Sequence, residues 1–264
     1  MDSIAARVDY LMTMKPAALV TGGSKRIGKA IAKDLAANGF SVAIHCNGSR
    51  TEADETAREI KSGGGEAAVF QADLTSLSDV RRLLPAVNAV FGPVALLINN
   101  ASVFEDDAAD ALDEELFDRH FALHVKAPSF LAQDFAAQLP DGAEGLIVNI
   151  IDERVWKLTP RFFSYTLSKS ALWTATRTMA QTFAPRIRVN AIGPGPTLPN
   201  ARQTEADFQR QSAGLLLGKG PDLSEFGATI RYLWGAISVT GQMIALDGGQ
   251  HLAWETKDLA GIAE

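Results

Sequence analysis

The sequence predicts a single α/β domain, a doubly wound parallel sheet of about seven strands with helices on both faces. Three observations lead there. Short apolar runs alternate with longer amphipathic segments along the chain, a pattern that calls for right-handed crossovers between parallel strands. The short runs are rich in Val, Ile and Leu without polar alternation, as strands covered on both faces are. The chain is 264 residues long, within reach of one domain of this class, and no repeat, low-complexity tract or linker divides it.

The elements follow in order. An apolar strand at 17–21 leads into an amphipathic helix at 26–38 that Asn38-Gly39 ends. A strand at 41–45 precedes a helix at 52–62, closed by Ser62-Gly63-Gly64-Gly65. The pairs 67–71 with 77–91 and 94–98 with 112–139 come next, then 146–151 with 163–183, 188–192 with 223–237, and a last strand at 243–246. The stretch 194–220 lacks strand character and is interrupted by Pro196 and Pro199; it is expected to be a substrate loop. Residues 1–14 read as an extension without the continuous apolar core of a signal peptide, leaving 15–264 as the domain.

Composition removes several classes. Lys and Arg number 25 against 31 Asp and Glu, which argues against a generic nucleic-acid binder. The one cysteine, Cys46, excludes an intrachain disulfide or a cysteine-rich zinc site and suits a reducing compartment. No apolar run approaches the ~20 residues of a membrane span. A cytoplasmic protein with no metal, membrane or nucleic-acid partner is expected.

The first strand runs into Thr21-Gly22-Gly23-Ser24-Lys25-Arg26-Ile27-Gly28. Glycines at a strand-to-helix turn let the backbone approach a pyrophosphate, and the helix start supplies amide donors; the bland alternative is a tight turn without ligand. Arg26 stands where a middle glycine is expected, and its guanidinium could reach both a cofactor phosphate and the substrate. After the second strand the chain reads His45-Cys46-Asn47-Gly48-Ser49-Arg50, with no carboxylate for a ribose 2′-OH. Lys25, Asn47, Ser49 and Arg50 suit a 2′-phosphate instead, so NADPH is the expected cofactor. Asp73, before Leu74, is read either as a hydrogen-bond acceptor for adenine or as a helix cap.

Tyr165 and Lys169 lie four apart, on one face of a helix. An ammonium beside a phenol lowers its pKa toward the working range of a general acid. The pair gains weight from its company: Asn99-Asn100-Ala101-Ser102 after the fourth strand, Pro194-Gly195-Pro196-Thr197 after the sixth, and Asp247-Gly248-Gly249 after the last.

With these motifs in this order, residues 15–250 resemble a short-chain dehydrogenase/reductase with a Rossmann-type sheet. Within that family the chain is most similar to the pteridine and dihydromonapterin reductases, on Arg26 in the turn, Ser102-Val103-Phe104, His124-Val125-x-x-Pro128, and Asp152 thirteen residues before Tyr165. The resemblance implies cofactor contacts at Gly22, Lys25, Arg26, Ile27, Gly28, Asn47, Ser49, Arg50, Asp73, Leu74, Asn100, Ala101, Ser102, Tyr165, Lys169, Pro194, Gly195 and Thr197. It implies substrate contacts at Arg26, Ser102, Phe104, Asp152 and Tyr165, with Asp152, Tyr165 and Lys169 catalytic. It also implies a homotetramer built on the helices at 112–139 and 163–183, which carry Phe117, Phe121, Phe130, Phe135 and Trp173.

Asp152 stands where most members carry serine. An ionised aspartate only accepts hydrogen bonds and repels a developing oxyanion, so it suits a heterocycle that offers N–H donors. Its charge also opposes ionisation of Tyr165. The expected activity is NADPH-dependent reduction of a reduced pterin of the dihydromonapterin, dihydrobiopterin or dihydrofolate type. The alternatives are a carbonyl or 3-oxoacyl reductase and a non-catalytic NADPH-binding protein. Phe104 is read as a pterin-stacking ring or as core; Trp156 and Phe163 as pocket lining or core. His124, where the family's asparagine helps hold a relay water, is read as a core histidine that puts the relay in doubt.

Overall fold

The computed structural model describes residues 15–199 and 202–255; the extension expected at 1–14 lies outside them. Seven strands form one sheet: β1 (Ala17–Val20), β2 (Ser41–Cys46), β3 (Glu66–Gln71), β4 (Val94–Asn99), β5 (Gly145–Ile150), β6 (Ile187–Pro194) and β7 (Met243–Leu246). Their spatial order is β3-β2-β1-β4-β5-β6-β7, with every pairing parallel. The order reverses between β1 and β4, and ligands of such sheets bind at the carboxyl ends of the strands flanking that reversal.

The helices are α1 (Arg26–Ala37), α2 (Arg50–Ser62), α3 (Leu77–Phe91), α4 (Glu114–Phe121), α5 (Ala127–Gln138), α6 (Phe163–Phe183), α7 (Glu205–Ala213) and α8 (Leu223–Gly235). Alternate residues of β1 show how the two cores arise. Ala18 and Val20 pack with Ile31, Leu35, Ile60, Phe226 and Ile230 from α1, α2 and α8. Ala17 and Leu19 pack with Leu83, Leu84, Leu131 and Phe135 from α3 and α5 on the other face. A period of two along the strand thus serves two layers.

Two expectations change. The single helix read at 112–139 is interrupted by a π-helical turn at Ala122–Lys126. Pro128, just after it, has no N–H to donate to the carbonyl four residues back, that of His124. The stretch 194–220 also holds the helix α7, none of whose residues is buried. The helix has no apolar stripe and is not expected from the sequence; it is capped by the Thr204 hydroxyl, which accepts from the Asp207 N–H at 3.1 Å. Among the described residues no helix is long and apolar enough to cross a membrane.

Candidate active site

β1 delivers Thr21 to the turn. Gly22 has φ +62°, and a Cβ there would lie 2.9 Å from Ala101 Cα; a Cβ on Gly28 would lie 2.1 Å from the Gly22 carbonyl oxygen. Only glycine allows the turn, helix and neighbouring strand end to close this tightly. The Thr21 hydroxyl accepts from the backbone N–H of Asn100 and Ala101 at 2.9 and 3.0 Å. Asn100 Nδ2 donates to the Thr21 and Gly22 carbonyls at 2.9 and 3.0 Å. Asn100 and Ala101 therefore splice β4 to the turn across the point of reversal. His45, which the sequence did not single out, accepts the Gly22 N–H at Nδ1 (3.1 Å) and so presents its Nε2–H to the Ala72 carbonyl, 3.1 Å away. Burial lowers its pKa and keeps it neutral.

The first turn of α1 has no side-chain cap and no acidic residue. Its amides and its positive end are thus left for an anion, which fits the pyrophosphate of a dinucleotide. Ile27 packs partly buried on the core beneath. At the rim, Ser24 and Ser49 hydroxyls meet at 2.7 Å, Lys25 pairs with Glu52 at 2.5 Å and Arg50 with Asp54 at 2.9 Å. The Asn47 carbonyl accepts from Gln71. Both ion pairs are exposed and screened by water, so a phosphate can take over either cation at little cost. Asp73 accepts from the N–H and hydroxyl of Thr75, whereas the N-cap position of α3 falls on Ser76, whose side chain makes no capping hydrogen bond; the helix-cap reading of Asp73 is corrected to a local turn. The side chain of Leu74 is core.

Tyr165 and Lys169, on the first two turns of α6, are both buried. Tyr165 Oη donates to Asp152 Oδ2 at 2.9 Å. Arg154 lies 3.3 Å from both Asp152 oxygens, and its N–H donates to Oδ1 at 3.0 Å. Burial first, then the Asp152 charge, raises the Tyr165 pKa well above that of a free phenol. Lys169 donates to the Ile150 carbonyl at 2.8 Å, and burial pulls its pKa down to about 8. The geometry therefore reverses the lowering that Lys169 alone was expected to bring: Tyr165 holds its proton.

His124 is fully engaged. Its Nε2 accepts the Val103 N–H at 3.2 Å, so Nδ1 bears the proton facing Ser168 Oγ at 2.8 Å. The Ser102 hydroxyl stands 3.0 Å from Nε2. Burial, then Lys169, drives the His124 pKa well below its usual value. A neutral imidazole here ties the segment 102–103 to α6. His120, one turn earlier and stacked on His124, was missed by sequence reasoning; so was Glu153, whose buried carboxyl is pushed up to about 7 by burial and by Asp152.

Phe104 stacks on Phe162, with centroids 4.3 Å apart and planes 12° apart, and meets the Tyr165 ring edge-on at 4.8 Å. The second aromatic is Phe162, not Phe163, because residue 162 adopts φ +57° and turns its ring toward the site. Trp156 instead packs on Trp173 and His251. Arg26, itself at φ +52°, donates to the Leu198 and Pro199 carbonyls at 3.2 and 2.9 Å, bridging the phosphate turn to the loop after β6. In that loop Pro194 ends β6. A Cβ on Gly195 would lie 2.6 Å from Asp247 Cα, and the Thr197 hydroxyl donates to the Gly195 carbonyl.

Comparison with known proteins agrees with this geometry. Residues 16–210 match the family described as short chain dehydrogenase. Two crystal structures of FolM alternative dihydrofolate reductase 1 with NADP superpose with TM-scores of 0.91. The one from Brucella canis is 59% identical and covers 94% of this chain and 99% of its own; the one from Brucella suis is 60% identical and covers 93% and 98%. A 3-oxoacyl-(acyl-carrier-protein) reductase of Staphylococcus epidermidis is 30% identical over 90% of this chain and 100% of its own. On its strand order, its glycine turn, its Tyr165–Lys169 pair and these matches, the chain belongs to the short chain dehydrogenase family of oxidoreductases.

Proposed function

We propose that this protein is an NADPH-dependent reductase of reduced pterins, of the dihydromonapterin, dihydrobiopterin or dihydrofolate type. One observation carries the reading: a carboxylate, Asp152, is hydrogen-bonded to Tyr165 at 2.9 Å beside the Phe104 ring. A carbonyl or 3-oxoacyl reductase needs a donor at that position, and a carboxylate repels the oxyanion such a reaction develops. A pterin offers N–H groups to Asp152 and a flat ring to Phe104. The two Brucella structures, named as dihydrofolate reductases with NADP, support the same substrate class and cofactor.

NADPH, when bound, supplies the hydride to a pteridine ring carbon. Asp152 accepts an N–H of the heterocycle and orients it, with Arg154 compensating its charge. Tyr165, protonated throughout the neutral range, gives its proton to the ring nitrogen adjacent to the reduced carbon, directly or through water. Lys169 keeps two N–H donors beyond the one spent on Ile150 and holds the ribose hydroxyls. Lys25, Ser49 and Arg50 meet the 2′-phosphate.

The test is cofactor oxidation with dihydropterins and with a panel of ketones, each run with NADPH and with NADH. Turnover with dihydropterins and NADPH, with NADH at least tenfold poorer in kcat/KM, is expected. Turnover with ketones alone overturns the substrate reading, and equal use of NADH overturns the cofactor reading.

We also propose a homotetramer. Phe117 and Phe121 stack on each other on α4 and are only partly covered, as is Trp173 on α6. Phe135 belongs to the core and Phe130 lies under Arg81, so neither contributes to that face. Closed symmetry is the usual way such a face is buried. Light scattering at micromolar concentration is expected to give the four-chain mass; a monomer mass refutes it.

A further inference from the structure

Phe162 is a bulky residue in the left-handed region, at φ +57° and ψ +50°, a conformation that an L-residue with a large side chain holds only when its surroundings impose it. Here they do. The Phe162 N–H donates to Asp106 Oδ1 at 3.2 Å, the Phe163 N–H to the Asp107 carbonyl at 3.3 Å, and the Ser164 N–H to the Asp107 carboxylate at 3.1 and 3.2 Å. The start of α6 has no cap of its own and is capped instead from the loop that carries Phe104. This arrangement brings about the parallel stack of Phe162 on Phe104.

The two rings differ in exposure. Phe162 is nearly buried, at 9%, whereas Phe104 is only partly covered. Arg154 stands 5.2 Å from the Phe104 centroid and 5.3 Å from that of Phe162. Near-equidistance from two parallel rings puts the guanidinium at the edge of the stack rather than over a face. The same guanidinium carries Asp152. The side of the stack that Arg154 occupies therefore faces the acceptor carboxylate, while Arg202 stands against the stack as well, 5.2 and 5.4 Å from the two centroids.

We propose that Phe162 is a positioning residue, the second layer of the substrate platform: it fixes the plane of Phe104 so that a flat heterocycle meets Phe104 and Asp152 together. The proposal rests on the pterin reading above and deepens it. Phe104 sits on a segment, 100–107, without helix or strand. A lone ring there would lose rotational freedom each time it received a ligand, and a ring already immobilised does not.

The experiment compares Phe162→Gly, Phe162→Tyr and Phe104→Ala. Glycine adopts φ +57° freely, so Phe162→Gly removes the ring without straining the backbone. Its KM for the dihydropterin is expected to rise about tenfold, with kcat and NADPH affinity close to the parent's; the melting temperature is expected to fall, because the ring removed is buried. Phe162→Tyr keeps the ring and is expected to keep the parent KM. The proposal is overturned if Phe162→Gly leaves KM within about twofold, if Phe162→Tyr is as impaired as Phe162→Gly, or if NADPH affinity weakens as much as KM rises. Phe104→Ala separates the two layers of argument. A large KM effect there with none at Phe162→Gly sinks only the platform, whereas no effect at either position sinks the stacking of a pterin as well.

Discussion

Asp152→Ser is expected to lower dihydropterin turnover by about 10²-fold or more, the usual worth of a positioned acid–base group, while NADPH affinity stays within about twofold. Three losses add up at this position. The heterocycle loses an ionised acceptor for its N–H, and a hydroxyl is a weaker partner for that group. Tyr165 loses the oxygen that accepts its proton at 2.9 Å. Arg154 loses the carboxylate it lies against and leaves a positive charge at the site mouth. None of these touches the glycine turn or the rim around Ser49, so cofactor binding is spared. Steady-state kinetics together with a cofactor fluorescence titration check both halves. Full pterin activity in the serine variant would make Asp152 a bystander and remove the main reason for preferring a C=N substrate over a carbonyl.

Tyr165→Phe removes the proton and keeps the ring, including its edge contact with Phe104. Turnover is expected to fall by about 10²–10⁴-fold with KM and NADPH affinity little changed. The pH dependence separates Tyr165 from Lys169. Burial and Asp152 raise the Tyr165 pKa, so it stays protonated and sets no limb in the accessible range. Lys169 has its pKa lowered to about 8; its ammonium is present below that value and is lost as pH rises through it. The kcat/KM of the parent enzyme is therefore expected to decline above about pH 8. Lys169→Ala loses that limb together with turnover and NADPH affinity. A parent profile flat to pH 10 would contradict the assignment of the limb to Lys169, and a fully active Tyr165→Phe enzyme would remove Tyr165 as the proton donor.

The sequence went far on the scaffold because its signals there are local. Each strand was found to within about two residues at either end, since an unbroken apolar run bounded by glycine or polar residues has few other uses in a parallel sheet. Tyr165 and Lys169 were placed on one helix face by spacing alone, and Gly22 and Gly28 by the turn they must make. His45 escaped notice because a histidine inside an apolar strand gives no sign that its ring will reach the phosphate turn; only the pairing of β1 with β2 brings it there.

What the tertiary structure decided is how segments far apart in the chain meet. By itself the sequence determined the strands and their parallel sheet class, the phosphate turn, the Tyr165–Lys169 pair and the presence of an acidic residue at 152, thirteen residues before Tyr165. It did not determine that Arg154 lies along Asp152 and the edge of the ring stack, that His124 ties Ser102 and Val103 to α6, or that Asp107 caps a helix beginning 56 residues later. The left-handed turn at Phe162 is the sharpest case. No propensity favours a phenylalanine there, and it forms only because Asp106 and Asp107 arrive from another loop to take its N–H groups. That turn selects Phe162 over Phe163 as the ring beside Phe104. Local spacing sets which side chains share a face, whereas long-range hydrogen bonds, satisfied only once the sheet has assembled, set which faces meet.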